Sequence, residues 1–353
     1  MFKARSTLKE QGVLYPDTGG EAQHRLAFAI NGRSWGWEDK GGKRIDFSEW
    51  TSFVREARRF KGTVILSSES LIELTPEQIK RVQTDVAHFD TEIIFTFRPL
   101  PNSLVSIYQQ YVKAGLHLDF SEWLETELHT HINERKSRLW RRHSHDILIQ
   151  RWLDLFPKVT LIAADSQFPD FLFRKFEEKI GLQPNTLRFE DVSNVNRSLS
   201  LEELNALRSI NAAVREAFTW DEYLYFVRGG IRSATNAIPL EDAGTRMGLP
   251  QWAFEEAKQE HTQQWNRISQ LDIERIHGDL DAQISKTHIS EVTHTDFVPN
   301  RFVAELIRHY HFYDATQKIG TKKLIRELMV RAGLKRSGTF IKSLARVVNI
   351  TKK

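Results

Sequence analysis

An arginine that closes an apolar run, with a serine eight residues further on, is the spacing best suited to chemistry in this sequence. Residues 97–108 read Phe-Arg-Pro-Leu-Pro-Asn-Ser-Leu-Val-Ser-Ile-Tyr. Arg98 ends a predicted strand, a proline-containing loop follows, and Ser106 falls near the start of a predicted helix. In an open α/β sheet, ligands bind at the carboxyl ends of strands. A guanidinium facing a helix N-terminus that carries a hydroxyl makes a phosphate site, because N–H groups, hydroxyl and cation all favour an oxyanion. A plainer role stands beside it: Arg98 on the surface and Ser106 as a helix cap.

Other candidate groups carry less. His129 and His131, His143 and His145, and His309 and His311 stand two apart, which on a helix points two rings to different sides. No third ligand is suggested, so no metal is expected. Lys136, Arg138, Arg141 and Arg142 form a basic stretch that either receives an anionic acceptor or is a solvated helix face. Trp50, Phe53, Trp123, Trp152 and Phe156 fall at helix-core spacing and read as core, not as a sugar-stacking platform. Gly19-Gly20 and Gly41-Gly42-Lys43 neither follow a predicted strand nor open a helix, so neither is a phosphate loop.

The elements that must position these groups are strands separated by helices. Strands are predicted over 63–67, 92–97 and 158–163, and with a poorer pattern over 186–190. Helices are predicted over 47–60 with Asp46 or Ser48 as cap, from Thr75 as cap with Pro76 at the first position, from 119–121, and over 144–156. Such alternation requires crossover connections, hence an α/β fold with a mainly parallel sheet flanked by helices. Asp-Phe-Ser-Glu-Trp occurs at 46–50 and at 119–123, both at helix starts, and reads as shared capping chemistry. After about residue 200 the strand signals fade. Ser200 and Glu203 have capping-box spacing and open a helix reaching past Ala217; 228–248 reads as a long loop, 249–276 as a helix, and Gly278-Asp279 as a turn.

The chain has 353 residues and no cysteine, which excludes disulfides, a thiolate nucleophile and cysteine metal sites, and suits a reducing cytoplasm. Hydrophobic content of 40% with 27% charged residues excludes wholesale disorder. No apolar leader follows Met1, and no run approaches the length of a membrane span. The net charge of +4 hides an asymmetry. Residues 318–353 hold eleven Lys/Arg against one acid, a net +10, so residues 1–317 carry −6. Leu324, Ile325, Leu328, Met329 and Ala332 share one helix face, and Ile341, Leu344, Ala345 and Val348 another. Two basic amphipathic helices of this kind suit an anionic membrane surface or an acidic partner; packing on the acidic body is the alternative.

The segment 97–108 resembles the 3′-phosphate-binding segment of sulfotransferases that use 3′-phosphoadenosine 5′-phosphosulfate (PAPS). Residues 63–71 (Thr-Val-Ile-Leu-Ser-Ser-Glu-Ser-Leu) look like the strand-plus-Ser-Ser-Glu segment of a bacterial subgroup of that family. Residues 8–16 resemble its early Gly-Val-x-Tyr-Pro segment, and 195–200 and 276–280 fit later ones, so the likeness spans residues 5 to 281. It implies a P-loop-like sulfotransferase architecture over residues 1–283 with a helical, basic addition over 284–353. The family begins with a strand and a Gly-Thr-rich loop carrying a lysine, which this sequence lacks. The expectation is a start roughly 20–30 residues upstream, or a member that has lost the loop.

The resemblance assigns the cofactor's 3′-phosphate to Arg98 and Ser106. It implies transfer of a sulfuryl group from PAPS to a hydroxyl or amine, of a carbohydrate or glycolipid, without a metal. Such a transfer needs an in-line acceptor, a base and cations for the leaving phosphate. The family's base sits at the end of the adjacent strand as His or Glu, which makes Glu69 the first candidate; His24, at a predicted helix start, is the second. Ser67 and Ser68 are placed for contact with substrate or cofactor. Structural roles stay open beside these: Glu69 as a cap or arginine partner, His24 as an exposed helix-start histidine, the serines satisfying backbone groups. The other function considered is a non-catalytic nucleotide- or glycan-binding protein derived from this fold. A nucleic-acid partner would rest on the tail alone and is not expected. The tail can instead hold a cytoplasmic enzyme at the inner membrane face, where glycolipid acceptors lie.

Overall fold

Thr75 shows how local chemistry sets the frame. Its hydroxyl accepts from Gln78 N while the Gln78 side chain accepts from Thr75 N, and Pro76 occupies the first helical position, where no N–H is needed. The computed structural model describes residues 1–317 apart from 19–22, 131, 133, 165–167, 169, 189–196, 240–241, 294 and 296–298. Gly19-Gly20, His131, Val195-Asn196, the basic stretch 318–353 and the side chains beyond His309 therefore lie outside the described residues.

In chain order, α1 (Arg5–Glu10) leads into β1 (Val13–Leu14), followed by α2 (His24–Asn31), a hairpin of β2 (Ser34–Trp35) and β3 (Lys43–Arg44), and α3 (Ser48–Arg59). Then come β4 (Thr63–Val64), a 3-10 turn (Glu69–Glu73), α4 (Pro76–Asp85), β5 (Ile93–Phe97) and α5 (Leu100–Lys113). The middle holds α6 (Phe120–Trp123), a π-helical segment (Leu124–His129), α7 (Arg138–His143), α8 (His145–Leu153), β6 (Val159–Ala163) and α9 (Phe171–Ile180). Next are α10 (Leu201–Val214), α11 (Trp220–Glu222), a second π-helical segment (Tyr223–Arg228) and α12 (Gly229–Ala237). The order ends with α13 (Gln251–Ser269), β7 (Glu274–Ile276), α14 (Leu280–Ile284) and α15 (Asn300–Gln317).

Among the described residues the strands form three small sheets. β1 and β4 pair parallel, β2 and β3 antiparallel, and β5-β6-β7 parallel throughout, with Phe97 opposite Ala163 and Ile162 opposite Ile276. The class is therefore α/β with small parallel sheets flanked by helices. β6 is buried along its whole length, as a central parallel strand requires. Trp50, Phe53, Val54 and Ala57 line the buried face of α3, and the first three share a core with Leu26 and Ile30 of α2 and Phe95 and Phe97 of β5. A second core gathers α5, α6, α10, α12 and α13 around Trp123, Trp140 and Tyr223, and takes in Phe302 and Leu306 of α15. Only the second Asp-Phe-Ser-Glu-Trp copy caps with its aspartate, Asp119 accepting from Glu122 N. In the first the N-cap of α3 is Phe47, not Asp46 or Ser48 as expected. Asp46 accepts from Ser48 N in a local turn, and the Ser48 side chain and then its backbone hold the Asp46 carboxyl below its usual range.

Several expectations are corrected. The stretch 228–248 is not all loop, since α12 occupies Gly229–Ala237. The paired glycines are where α15 comes close: a Cβ on Gly230 would lie 2.8 Å from Leu306 Cδ2, and one on Gly229 2.5 Å from His309 Nε2. Packing there overrides weak helix propensity. The helix predicted over 249–276 ends at Ser269, and Glu274–Ile276 is the strand β7. Residues 186–188 form no strand, because Glu177 takes the N–H groups of Asn185 and Leu187 that a ladder would need; 189–190 lie outside the described residues. The predicted strand 63–67 shortens to Thr63–Val64, extended by Ile65 N donating to Leu14 O. The helix predicted over 144–156 is present as α8, trimmed to His145–Leu153, with Ser144 separating it from α7.

Candidate functional site

The carboxyl ends of β1 and β4 are fastened by Gln23. Its side chain is fully buried. Its amide donates to Pro16 O at 3.0 Å, its carbonyl oxygen accepts from Ser67 N at 2.8 Å, and its own backbone N donates to Ser67 O at 3.3 Å. With these bonds made, α2 starts at His24 directly beside the segment 67–69. His24 Nδ1 lies 2.9 Å from Ser68 Oγ, and Nε2 lies 3.3 Å from Glu69 Oε2. Ser68 Oγ also accepts from Ser70 N, which caps the 3-10 turn. This bonding set is met by a ring that donates from Nε2 to Glu69 and accepts the Ser68 hydroxyl at Nδ1. The ring rests near Trp35, centroids 5.9 Å apart. Glu69 is largely exposed while His24 is mostly covered, so the carboxylate is the member of the group open to a ligand. The structure thus brings together Glu69, His24 and Ser68, while Ser67 contributes its backbone to the Gln23 fastening.

Arg98 follows the last residue of β5. It is exposed, though nearby protein removes enough of its hydration to lower its pKa. It forms no ion pair or hydrogen bond among the described residues. Ser106 is not near the start of a helix as expected. α5 begins at Leu100 because Pro99 and Pro101 suit its first turn, so Ser106 is the seventh residue of α5 and donates to Ser103 O at 2.7 Å. No hydrogen bond or ion pair joins Arg98 to Ser106 or to the His24–Glu69 group among the described residues. Tyr108 Oη donates to Leu118 O, and burial pushes its pKa up.

Aromatic and imidazole rings floor the β5 end. Phe97 meets His145, His261 and Trp265 at centroid distances of 5.0, 5.6 and 5.6 Å. Trp265 also meets His277, which follows β7, at 5.1 Å. Arg98 and His277 therefore leave the same parallel sheet at its carboxyl side, with Trp265 bridging beneath. His143 and His145 do approach each other, at 5.7 Å, because the break at Ser144 frees them from helical spacing. Among the described residues no three His, Asp or Glu side chains converge as a metal ligand set. Glu73, the last residue of the turn that begins at Glu69, binds two arginines. It accepts from Arg142 Nε at 2.6 Å and from Arg33 at 2.6 Å, tying that turn to α7 beside His143. Arg142 of the basic stretch is thereby neutralised, and Arg138 lies over the Tyr111 ring at 4.3 Å.

Sequence reading missed Gln23, whose partners are 7 and 44 residues away and leave no local signal. It also missed His261 and Trp265, which sit inside an unremarkable helical pattern. No protein-family model, curated protein or solved structure matches this chain.

Proposed function

We propose that the protein is a sulfotransferase of P-loop-like architecture, moving a sulfuryl group from PAPS to a hydroxyl or amine of a carbohydrate or glycolipid. The observation that carries this reading is the group His24–Ser68–Glu69 at the carboxyl end of a parallel strand. Glu69, held by His24 and open to solvent, takes the acceptor proton as the acceptor oxygen or nitrogen bonds to sulfur. The bond from sulfur to the 5′-phosphate oxygen breaks, and 3′-phosphoadenosine 5′-phosphate leaves. Arg98, a cation without a carboxylate partner among the described residues, supplies charge for the phosphates of donor and product.

Turnover of PAPS with polysaccharide and glycolipid acceptors tests this reading. Glu69→Gln is expected to lower kcat about 10²–10⁴-fold with little change in KM for PAPS. His24→Gln is expected to act through Glu69, lowering kcat less than Glu69→Gln does and leaving KM for PAPS little changed. Equal turnover by wild type and Glu69→Gln would remove Glu69 from the reaction. A second reading, a nucleotide-binding protein without turnover, is favoured by the absence, among the described residues, of a ladder between β4 and β5, which leaves base and cation on separate sheets. It predicts product binding with no transfer by wild type.

Among the described residues no helix is long and apolar enough to cross a membrane. We place membrane contact in residues 318–353, net +10. Deleting them is expected to abolish co-sedimentation with phosphatidylserine vesicles at low salt; unchanged sedimentation refutes that role.

A further inference from the structure

A second cationic group lies at the opposite end of α5 from Arg98. Lys113, the last residue of α5, is 8% exposed. An ammonium has three N–H donors to place, and the acceptor it finds among the described residues is Arg197 O, at 3.4 Å. Tyr223 docks this end of α5 onto the second π-helical segment. Its hydroxyl lies 2.9 Å from Asn211 Oδ1 and 3.3 Å from Lys113 O. Arg228 stands five residues after Tyr223, so π-helical spacing puts it on the face that meets Lys113. Arg232 follows at i+4 on the same side of α12.

Counter-charge is short here. Glu203, fully buried, is held by both terminal nitrogens of Arg197, at 2.7 and 2.8 Å, and by Ser200 N at 3.0 Å. Arg228 and Arg232 make no side-chain ion pair or hydrogen bond among the described residues. Burial and the fields of Arg197 and Arg228 bring the Lys113 pKa down to about 8, while burial lowers that of Arg228. Lys113 is buried, Arg228 half-buried and Arg232 exposed. Holding the buried ammonium beside guanidinium groups without a counter-ion is unfavourable, and an anion drawn between them removes the cost.

We propose that Lys113, Arg228 and Arg232 form a binding site for a doubly charged phosphate-class oxyanion, either free phosphate or a phosphate monoester. The three cations supply ammonium and forked guanidinium donors from two packed helices, the set such an anion takes. The site is independent of the reading given to Arg98.

Thermal unfolding of the full chain tests it, in sodium phosphate or phenyl phosphate against sodium chloride at equal ionic strength and pH 7. Wild type is expected to gain melting temperature with either phosphate compound, saturably. A larger gain with phenyl phosphate assigns the site to an ester, and a larger gain with inorganic phosphate to the free ion. Arg228→Gln and Lys113→Met are expected to lose the gain, yet to melt in chloride at or above the wild-type temperature, because a like charge has gone. Arg98→Ala keeps the part of the gain that Arg228→Gln and Lys113→Met lose, which separates this site from Arg98 at the end of β5. In wild type the gain fades above about pH 9, as Lys113, faced by Arg197, Arg228 and Glu203, gives up its proton. A gain that survives in both Arg228→Gln and Lys113→Met, or no gain in wild type, overturns the proposal.

Discussion

Acidification from pH 7 to about pH 4 is expected to unfold the protein through its buried histidines. His145 and His261 are 8% and 5% exposed, and burial pushes the pKa of each down to about 4. His143, pushed down to about 3 by burial and by the charges of His145 and Arg142, joins them. Asp146 and Asp281 pull the other way on His145 and His261 but do not offset the burial. The sign follows from proton counts. In the unfolded chain these rings take up protons as pH falls through about 6.5, while in the folded chain they stay neutral until about 4. Their contribution is present in full above pH ~6.5 and is lost as pH falls toward the folded values. Each fully buried ring costs about 1.4 kcal/mol per pH unit across that window, hence about 3 kcal/mol for each by pH ~4. Two such losses reach the scale of a whole domain's stability, about 5–15 kcal/mol. Tryptophan fluorescence against pH measures the transition. The double variant His145→Gln/His261→Gln is expected to move its midpoint to lower pH, and an unmoved midpoint assigns the acid transition to carboxylates instead.

Glu203→Ala is the substitution expected to cost most. Glu203 closes the capping box of α10 and is the counter-ion of Arg197, which also donates to Thr235 O and Ile238 O. Removing the carboxylate leaves the mostly buried Arg197 side chain beside Lys113 and Arg228 without its counter-ion. Breaking a buried pair by deleting one partner costs about 3–5 kcal/mol, and the lost cap adds about 1 kcal/mol. Urea denaturation of wild type and variant gives the difference directly. Glu203→Gln, which keeps the size and an acceptor oxygen, is expected to lose less. A loss under about 1 kcal/mol for Glu203→Ala, the level of an exposed pair, contradicts this account.

Where local chemistry decides an element, the sequence alone was enough. β5 and β6 are apolar runs of strand length, and α3 shows its buried stripe at helical spacing. Thr75 with Gln78, and Ser200 with Glu203, announce helix starts through side chains three residues apart. What failed depends on distant partners. β7 is a three-residue edge strand containing Glu274 and Arg275, and nothing in its own pattern says that β6 lies beside it. α12 opens with two glycines that α15 presses against, so its helicity comes from packing. The candidate site divides in the same way. Glu69 and Ser68 are adjacent in sequence, and His24 reaches them because Gln23 is bonded across the ends of β1 and β4. Ser106 was misplaced because two prolines moved the helix start upstream of it.

The central claim is that Arg98 receives the phosphate of a PAPS-derived nucleotide at the carboxyl end of β5. Calorimetric titration of the full chain with 3′-phosphoadenosine 5′-phosphate, wild type against Arg98→Ala, tests it most directly. A charge-assisted guanidinium–phosphate contact contributes about 1.5–3 kcal/mol. Wild type should therefore bind, and Arg98→Ala should bind about 10–100-fold more weakly. Equal affinity in the two proteins, or no heat of binding in wild type, contradicts the claim.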